Sequence, residues 1–198
     1  MHFDGANGGT TFTDVHGHAF TIQAGSPVTD TSSFKFATAS LSTPPSSAIQ
    51  TAASTDWVFT GDFTVDAWFE TPDTTTTRRP LGIIAGGGGW QLHLASDGNF
   101  YIYDGNNYKQ IALIPATNAF FHVAWCRVGT SNYGFVNGTL GLTWTKSGNI
   151  GANSILTIGH VLGEVEYAPN MHIDELRIIN GTGVWTTNFT PPTSPYTM

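Results

Sequence analysis

Apolar and polar residues alternate along this chain in short runs, each ended within a few residues by Gly, Asn, Asp, Ser or Pro. In FTVDAWFE, Phe63, Val65, Ala67 and Phe69 fall on one face, and Thr64, Asp66, Trp68 and Glu70 on the other. A period of two marks a strand with one face on a core. WQLHLA and FYIYDG flank SDGN, where Asp97-Gly98 supplies the turn of a hairpin. FFHVAWCRV and NYGFVNG pair around GTS, and Asn137-Gly138 then turns the chain into TLGLTW. SILTIGH and MHIDELRII follow, and FTPPTSPYTM closes the chain as an extended segment stiffened by proline. No fixed-period repeat and no linker divides the chain. The pattern predicts one all-β domain over residues 1–198, a two-sheet antiparallel β-sandwich with a Pro-rich tail at 190–198.

Composition agrees. The 198 residues suffice for one core, and the straight-chain residues that cover helix surfaces are scarce while Thr, Gly and aromatics abound. The net charge of −7, with seven Lys and Arg, excludes the clustered cations that nucleic acid requires. Arg78-Arg79, the one adjacent basic pair, follows TTTT and reads as a solvated loop tip. Cys126 stands alone, so it forms no intrachain disulfide and is expected to be a buried thiol. No run approaches the roughly 20 apolar residues of a membrane span. MHFDGANGG has neither a cationic start nor an apolar stretch, so synthesis in a cytosol without a secretory signal is expected.

Candidate chemistry is sparse. Asp66 and Glu70, on one strand face, stand roughly 13 Å apart at Cα. Glycoside hydrolysis needs carboxyl groups about 5–5.5 Å apart for retention, or about 6.5–9.5 Å for inversion. Glu164 and Glu166 come within about 6.6 Å if extended, but Gly and Pro flank them as in a loop. The Gly86–Gly89 run is followed by Trp90 and a strand, not by the Lys and helix of a phosphate loop. His16 and His18 would share a face if VHGH were a strand, yet structural zinc needs four ligands and usually thiolates. His2, His93, His122, His160 and His172 are scattered, and all seven read as satisfied or exposed. In MHIDELRII, Glu175 and Arg177 are two apart and read as a surface ion pair, with Asp174, Leu176 and Ile178 on the core side. Trp90, Tyr101, Tyr103, Tyr108, Trp144 and Tyr167 are candidates for stacking on sugar rings, although cores and protein interfaces also consume aromatics.

HFDG, GDFTVDAWFE, GWQLHLASDGNFYIY, FFHVAWCRVGTSNYGFVNG, LTIGH and IDELRIINGTGVWTTNFTPPTSPY occur in that order. Together, from Phe3 to Tyr196, they resemble the laminin-G-like, concanavalin A-like jelly-roll domains. The closing segment resembles the end of such modules in bacteriophage structural proteins. The resemblance implies one concave and one convex sheet with the chain ends close together. It also implies a structural calcium near the convex sheet, held by Asp174 of the final strand with Asp4 or nearby carbonyls, and no other cofactor. Read from the residues alone, Asp4 braces the FDGANGG turn and Asp174 accepts backbone donors at a strand end. Glycosidase relatives carry Glu-x-Asp-x-x-Glu on one concave strand, which this sequence lacks, so no catalysis is expected. The resemblance implies a virion component: a decoration or accessory protein that binds capsid or tail proteins and carries a glycan-binding surface. The alternative is a lectin whose main task is carbohydrate recognition, with a glycosidase ranked third.

Overall fold

The computed structural model describes residues 1–83, 89–152, 155–159 and 170–197. Its strands, numbered in chain order, form two sheets in which every pairing between strands is antiparallel. Across the eight-stranded sheet run β1 (Phe12–Thr13), β2 (Ala19–Ala24), β5 (Ala48–Gln50) and β14 (Leu156–Ile158). They are followed by β7 (Arg78–Ile83), β8 (Trp90–Leu94), β9 (Asn99–Tyr103) and β10 (Tyr108–Leu113). The seven-stranded sheet begins with β13 (Thr139–Thr145), β12 (Ser131–Val136), β11 (Phe121–Val128) and β6 (Phe63–Glu70). It ends with β15 (Met171–Asn180), β4 (Ser40–Thr43) and β3 (Val28–Asp30). The predicted two-sheet sandwich is the fold.

Inner faces follow the alternation read from the sequence. Phe63, Val65, Ala67 and Phe69 of β6 meet Leu92, Phe100, Ile102 and Ile158 of the opposite sheet in one buried cluster. At its centre Phe59 stacks on Phe63 at 4.1 Å, and Trp125 meets Phe63 edge-on at 4.8 Å. The hairpins form where the turn residues put them. Asn137 (φ 48°) and Gly138 (φ 74°) are both left-handed, the backbone that joins two strands with the native twist.

The polar face of β6 is also buried, against the simple alternation. Thr64, Asp66 and Trp68 lie under the chain's closing segment and a stretch near residue 35. Trp185 stacks flat on Phe189 at 3.9 Å, and both rings stand edge-on to His122 of β11. The Phe189 N–H donates to the Gly138 carbonyl at 2.9 Å, and the Leu140 N–H donates to Asn188 Oδ1 at 2.8 Å. A Cβ on Gly138 would run into the Phe189 carbonyl, so this glycine serves both the turn and the approach of the tail. The Pro-rich tail therefore lies on its own sheet and is not a free arm.

Two other expectations change. Arg78 and Arg79 begin β7 and are buried, so they are not a loop tip. Arg78 donates through Nη2 to Asp73 at 2.5 Å, a contact that holds the Asp73 carboxyl well below the usual carboxylate range. Glu175 and Arg177 do not pair with each other. A bulge between Asp174 and Arg177 places Glu175 at φ 50°, which turns its side chain to His2 and the Tyr196 N–H, both at 2.7 Å.

Candidate functional site

Strands β8, β9 and β10 bury Trp90, Leu92, Leu94, Phe100 and Ile102, so their other face carries Gln91, His93, Tyr101, Tyr103 and Tyr108. The register sets His93 beside Tyr101, and Tyr103 between Gln91 and Tyr108. The rings converge. Tyr101 and Tyr108 stand edge-on to His93, with centroids 5.9 and 5.0 Å away, and Tyr103 lies 4.9 Å from Tyr108. Arg79 Nε donates to His93 Nδ1 at 3.3 Å, so the proton of the neutral imidazole sits on Nε2.

The Tyr101 hydroxyl donates to Asp97 Oδ2 at 2.7 Å, which fixes the phenol and pushes its pKa up. Tyr108 is exposed, and Tyr101 and Tyr103 are half-buried. Flat rings with hydroxyl and amide groups at their rim suit a ligand that has both C–H faces and hydroxyls.

The other predicted aromatics do not join this face. Trp90 belongs to the inner face of β8, is fully buried, and donates its indole N–H to the Trp57 carbonyl at 3.1 Å. Trp144 lays one face against Trp125 at 6.2 Å and donates to Asp104 Oδ2 at 3.1 Å. Both are packing residues, because alternation and a nearby acceptor claim them before a ligand can. Tyr167, Glu164, Glu166, His160 and most of the Gly86–Gly89 run lie outside the described residues.

Asp174 is fully buried. Its Oδ2 accepts the N–H groups of Lys35 (2.8 Å) and Phe36 (3.1 Å), and its Oδ1 accepts that of Glu175 (2.8 Å). Burial pushes its carboxyl up to about 6 against these donors. Asp4 accepts the N–H and hydroxyl of Thr38 at 3.0 and 3.1 Å. Both carboxylates therefore staple the 35–38 segment. Calcium takes six to eight oxygen ligands, whereas here the positive ends of N–H dipoles point at both oxygens of Asp174. Among the described residues no group of three or more His, Cys, Asp or Glu is placed to share a metal. These residues do not fit a calcium ion.

Asp66 sits in a network that sequence reasoning missed. Arg177 donates to it through Nε (2.9 Å) and Nη2 (3.2 Å), the Tyr196 hydroxyl donates to Oδ2, and His122 Nε2 lies 3.1 Å from the same oxygen. Burial and then the Asp66 carboxylate push the Tyr196 phenol far above its ordinary range. Glu70, on the same strand, accepts the Ser33 hydroxyl and lies 3.6 Å from His172. Carboxylates beside histidines recur: Glu175 by His2, Asp14 and Asp56 by His18, and Asp30 by His172. The only signal for these pairs in the sequence was an excess of histidine over lysine on a chain short of cations.

The sequence matches the family Laminin_G_3, described as the concanavalin A-like lectin/glucanases superfamily, over residues 42–183. A comparison with curated proteins gives no match. Among solved structures, the chain is similar to domain 4 of AbnA, a GH43 extracellular arabinanase from Geobacillus stearothermophilus, in complex with arabinotriose. The TM-score is 0.65 at 17% identity, over 84% of each chain. The binding domain of botulinum neurotoxin serotype D gives 0.64 at 14% identity, over 87% of this chain and 45% of that one. Trypanosoma rangeli sialidase gives 0.62 at 12% identity, over 91% of this chain and 30% of the sialidase. At these identities the structures share the fold, which serves enzymes and binding domains alike. With most of its length matched by the family and its two sheets in the same arrangement, the chain belongs to the laminin-G-like group of the concanavalin A-like lectin/glucanase superfamily.

Proposed function

We propose that this domain is a non-catalytic carbohydrate-binding module whose ligand lies on the Tyr101, Tyr103 and Tyr108 face. The convergence of three tyrosines, Tyr101 and Tyr108 edge-on to His93 and Tyr103 against Tyr108, carries this reading, because it gives an aromatic surface on the outer face of the sheet. The fold neighbour solved with arabinotriose supports it. The absence of catalysis is supported by the carboxylates of β6: Asp66 is sealed in its ion pair beneath the tail, and Glu70 serves Ser33 and His172.

Titration calorimetry with arabinan, galactan, β-glucan and ganglioside oligosaccharides tests binding. Tyr108→Ala is expected to weaken the best ligand about 10-fold, some 1.4 kcal/mol, with the melting temperature nearly unchanged because the ring is exposed. Absence of binding across the panel, or equal affinity in the variant, would remove the site. Sustained release of reducing ends would replace the module with an enzyme.

The setting proposed for the module is a virion, as an accessory or decoration protein on capsid or tail, a reading supported by the resemblance of the segment from Ile173 to Tyr196. Since that segment is folded onto its own sheet, contact with virion proteins falls to loops and exposed strands. Purified particles are expected to carry many copies per shell. A protein recovered only free of particles would leave the lectin reading alone.

A further inference from the structure

An open groove of about 1100 Å³ is lined by Phe20, Trp57 and Leu176 and, on one wall, by Val15 and His18. The wall is the turn that joins β1 to β2, at the outer edge of the eight-stranded sheet. β1 pairs with β2, and β2 holds the sheet through three register pairs with β5, interrupted by a bulge. A second tie comes from the ring of His18. Its Nδ1 is 2.7 Å from Asp14 Oδ2, and its Nε2 is 2.8 Å from Asp56 Oδ2, on a 3₁₀ turn at Thr55–Trp57. The ring also lies against Trp57, with centroids 5.0 Å apart.

Carboxylate oxygens only accept, so both ring nitrogens must donate, which requires the imidazolium. The two contacts are unequal. Asp14 also accepts the N–H groups of His16 and His18, at 2.9 and 2.8 Å, and so belongs to the same turn. Asp56 lies 38 residues away and is held by its own neighbour, the Ser54 hydroxyl at 2.8 Å. A neutral ring keeps one donor. The nearby carboxylate retains it, and the second nitrogen then turns a lone pair toward Asp56.

We propose that His18 is a pH-operated latch: protonated, it ties the β1–β2 turn to the Thr55–Trp57 turn and closes that wall of the groove; neutral, it releases the turn. The other charged and titratable groups around the groove come from each element packed there. His16 is on the same turn. From the opening segment come the Met1 ammonium, which donates to the Leu176 carbonyl and whose pKa burial lowers, and His2, paired with Glu175. Arg177 on β15 is held by Asp66, and Tyr196 comes from the closing segment. The hydrogen bond that His18 donates to Asp14 raises its pKa, partly offset by burial, and Asp56 adds to the rise. A raised histidine means that the tie is complete below the ordinary value and is lost as pH rises through the raised one.

Hydrogen exchange of the intact protein at about pH 6 and about pH 9, corrected for intrinsic rates, reads the latch directly. Amides of residues 12–22 are expected to lose protection several-fold at the higher pH, while those of β11 do not. In His18→Gln the same amides should be weakly protected at both pH values. Asp56→Asn should lower the His18 titration midpoint measured by NMR, and it leaves the core intact because Asp56 is exposed. Unchanged protection in the native protein, the same pH-dependent loss in His18→Gln, or an unmoved midpoint in Asp56→Asn would each overturn the proposal.

Discussion

Asp66→Ala is expected to destabilise the fold by about 3–5 kcal/mol, the usual result of breaking a buried ion pair from one side. Asp66 is fully buried and is the shared acceptor for Arg177 and Tyr196, with His122 at the same oxygen. Its removal leaves a largely covered guanidinium with no counter-charge, and it takes from the half-buried Tyr196 phenol its carboxylate acceptor, leaving only His122 Nε2 at 3.3 Å. The effect extends to the tail, because Tyr196 reaches the sheet through this carboxylate while the Arg177 guanidinium packs over the Tyr196 ring at 4.1 Å.

Urea unfolding measures the loss, and hydrogen exchange over residues 183–196 should show the tail released first. The double variant Asp66→Ala, Arg177→Met is expected to recover part of the stability, since two apolar groups leave no charge stranded. A loss below about 1 kcal/mol, the range of exposed pairs, would show that the network is solvated and not structural.

Arg127→Met is expected to cost about 3 kcal/mol, because it removes several hydrogen bonds made by a charged donor, each contributing about 1.5–3 kcal/mol. The inner face of β11 reads Phe121, Val123, Trp125 and then Arg127, a cation where the alternation calls for an apolar residue. Only 2% of Arg127 is exposed. Its guanidinium donates to the carbonyls of Gly61 (2.6 Å from Nε), Gly148 (2.9 Å) and Phe59 (3.0 Å), and lies over the Phe63 ring. Burial pulls its pKa down, with Asp62 acting in the opposite sense.

The rigid fork of arginine spans three carbonyls on two segments, which a single ammonium cannot do. Arg127→Lys should therefore recover only about half of the stability lost in the Met variant. A lysine variant as stable as the native protein would mean that charge, and not the fork, closes this end of the sandwich. Chemical denaturation of the three proteins decides between them.

What was legible in the sequence was local. A two-residue period, a Gly with the correct neighbour and a Pro-stiffened end act over a few residues, so β6, the β8–β9 hairpin and the Asn137-Gly138 turn could be placed from their own letters. The tyrosine face was half-legible for the same reason. Alternation in FYIYDG puts Tyr101 and Tyr103 together, but only the pairing of β10 beside β9 brings in Tyr108. Asp174 shows where such reasoning divides: accepting backbone donors at a strand end was a reading of the residue, and calcium came from resemblance alone.

The sequence by itself determined the fold class, the strand positions and the inner faces, because hydrophobic burial has a period that short runs of residues display. Tertiary structure alone decided what the polar faces do. Nothing local distinguishes Asp66 from a solvated carboxylate; its partners stand 56, 111 and 130 residues away. Likewise, nothing in VHGH announces that Asp56 will meet the second nitrogen of His18. A charge or a hydrogen-bonding group is priced by the medium around it, and that medium exists only after the sheets have stacked and the tail has covered them.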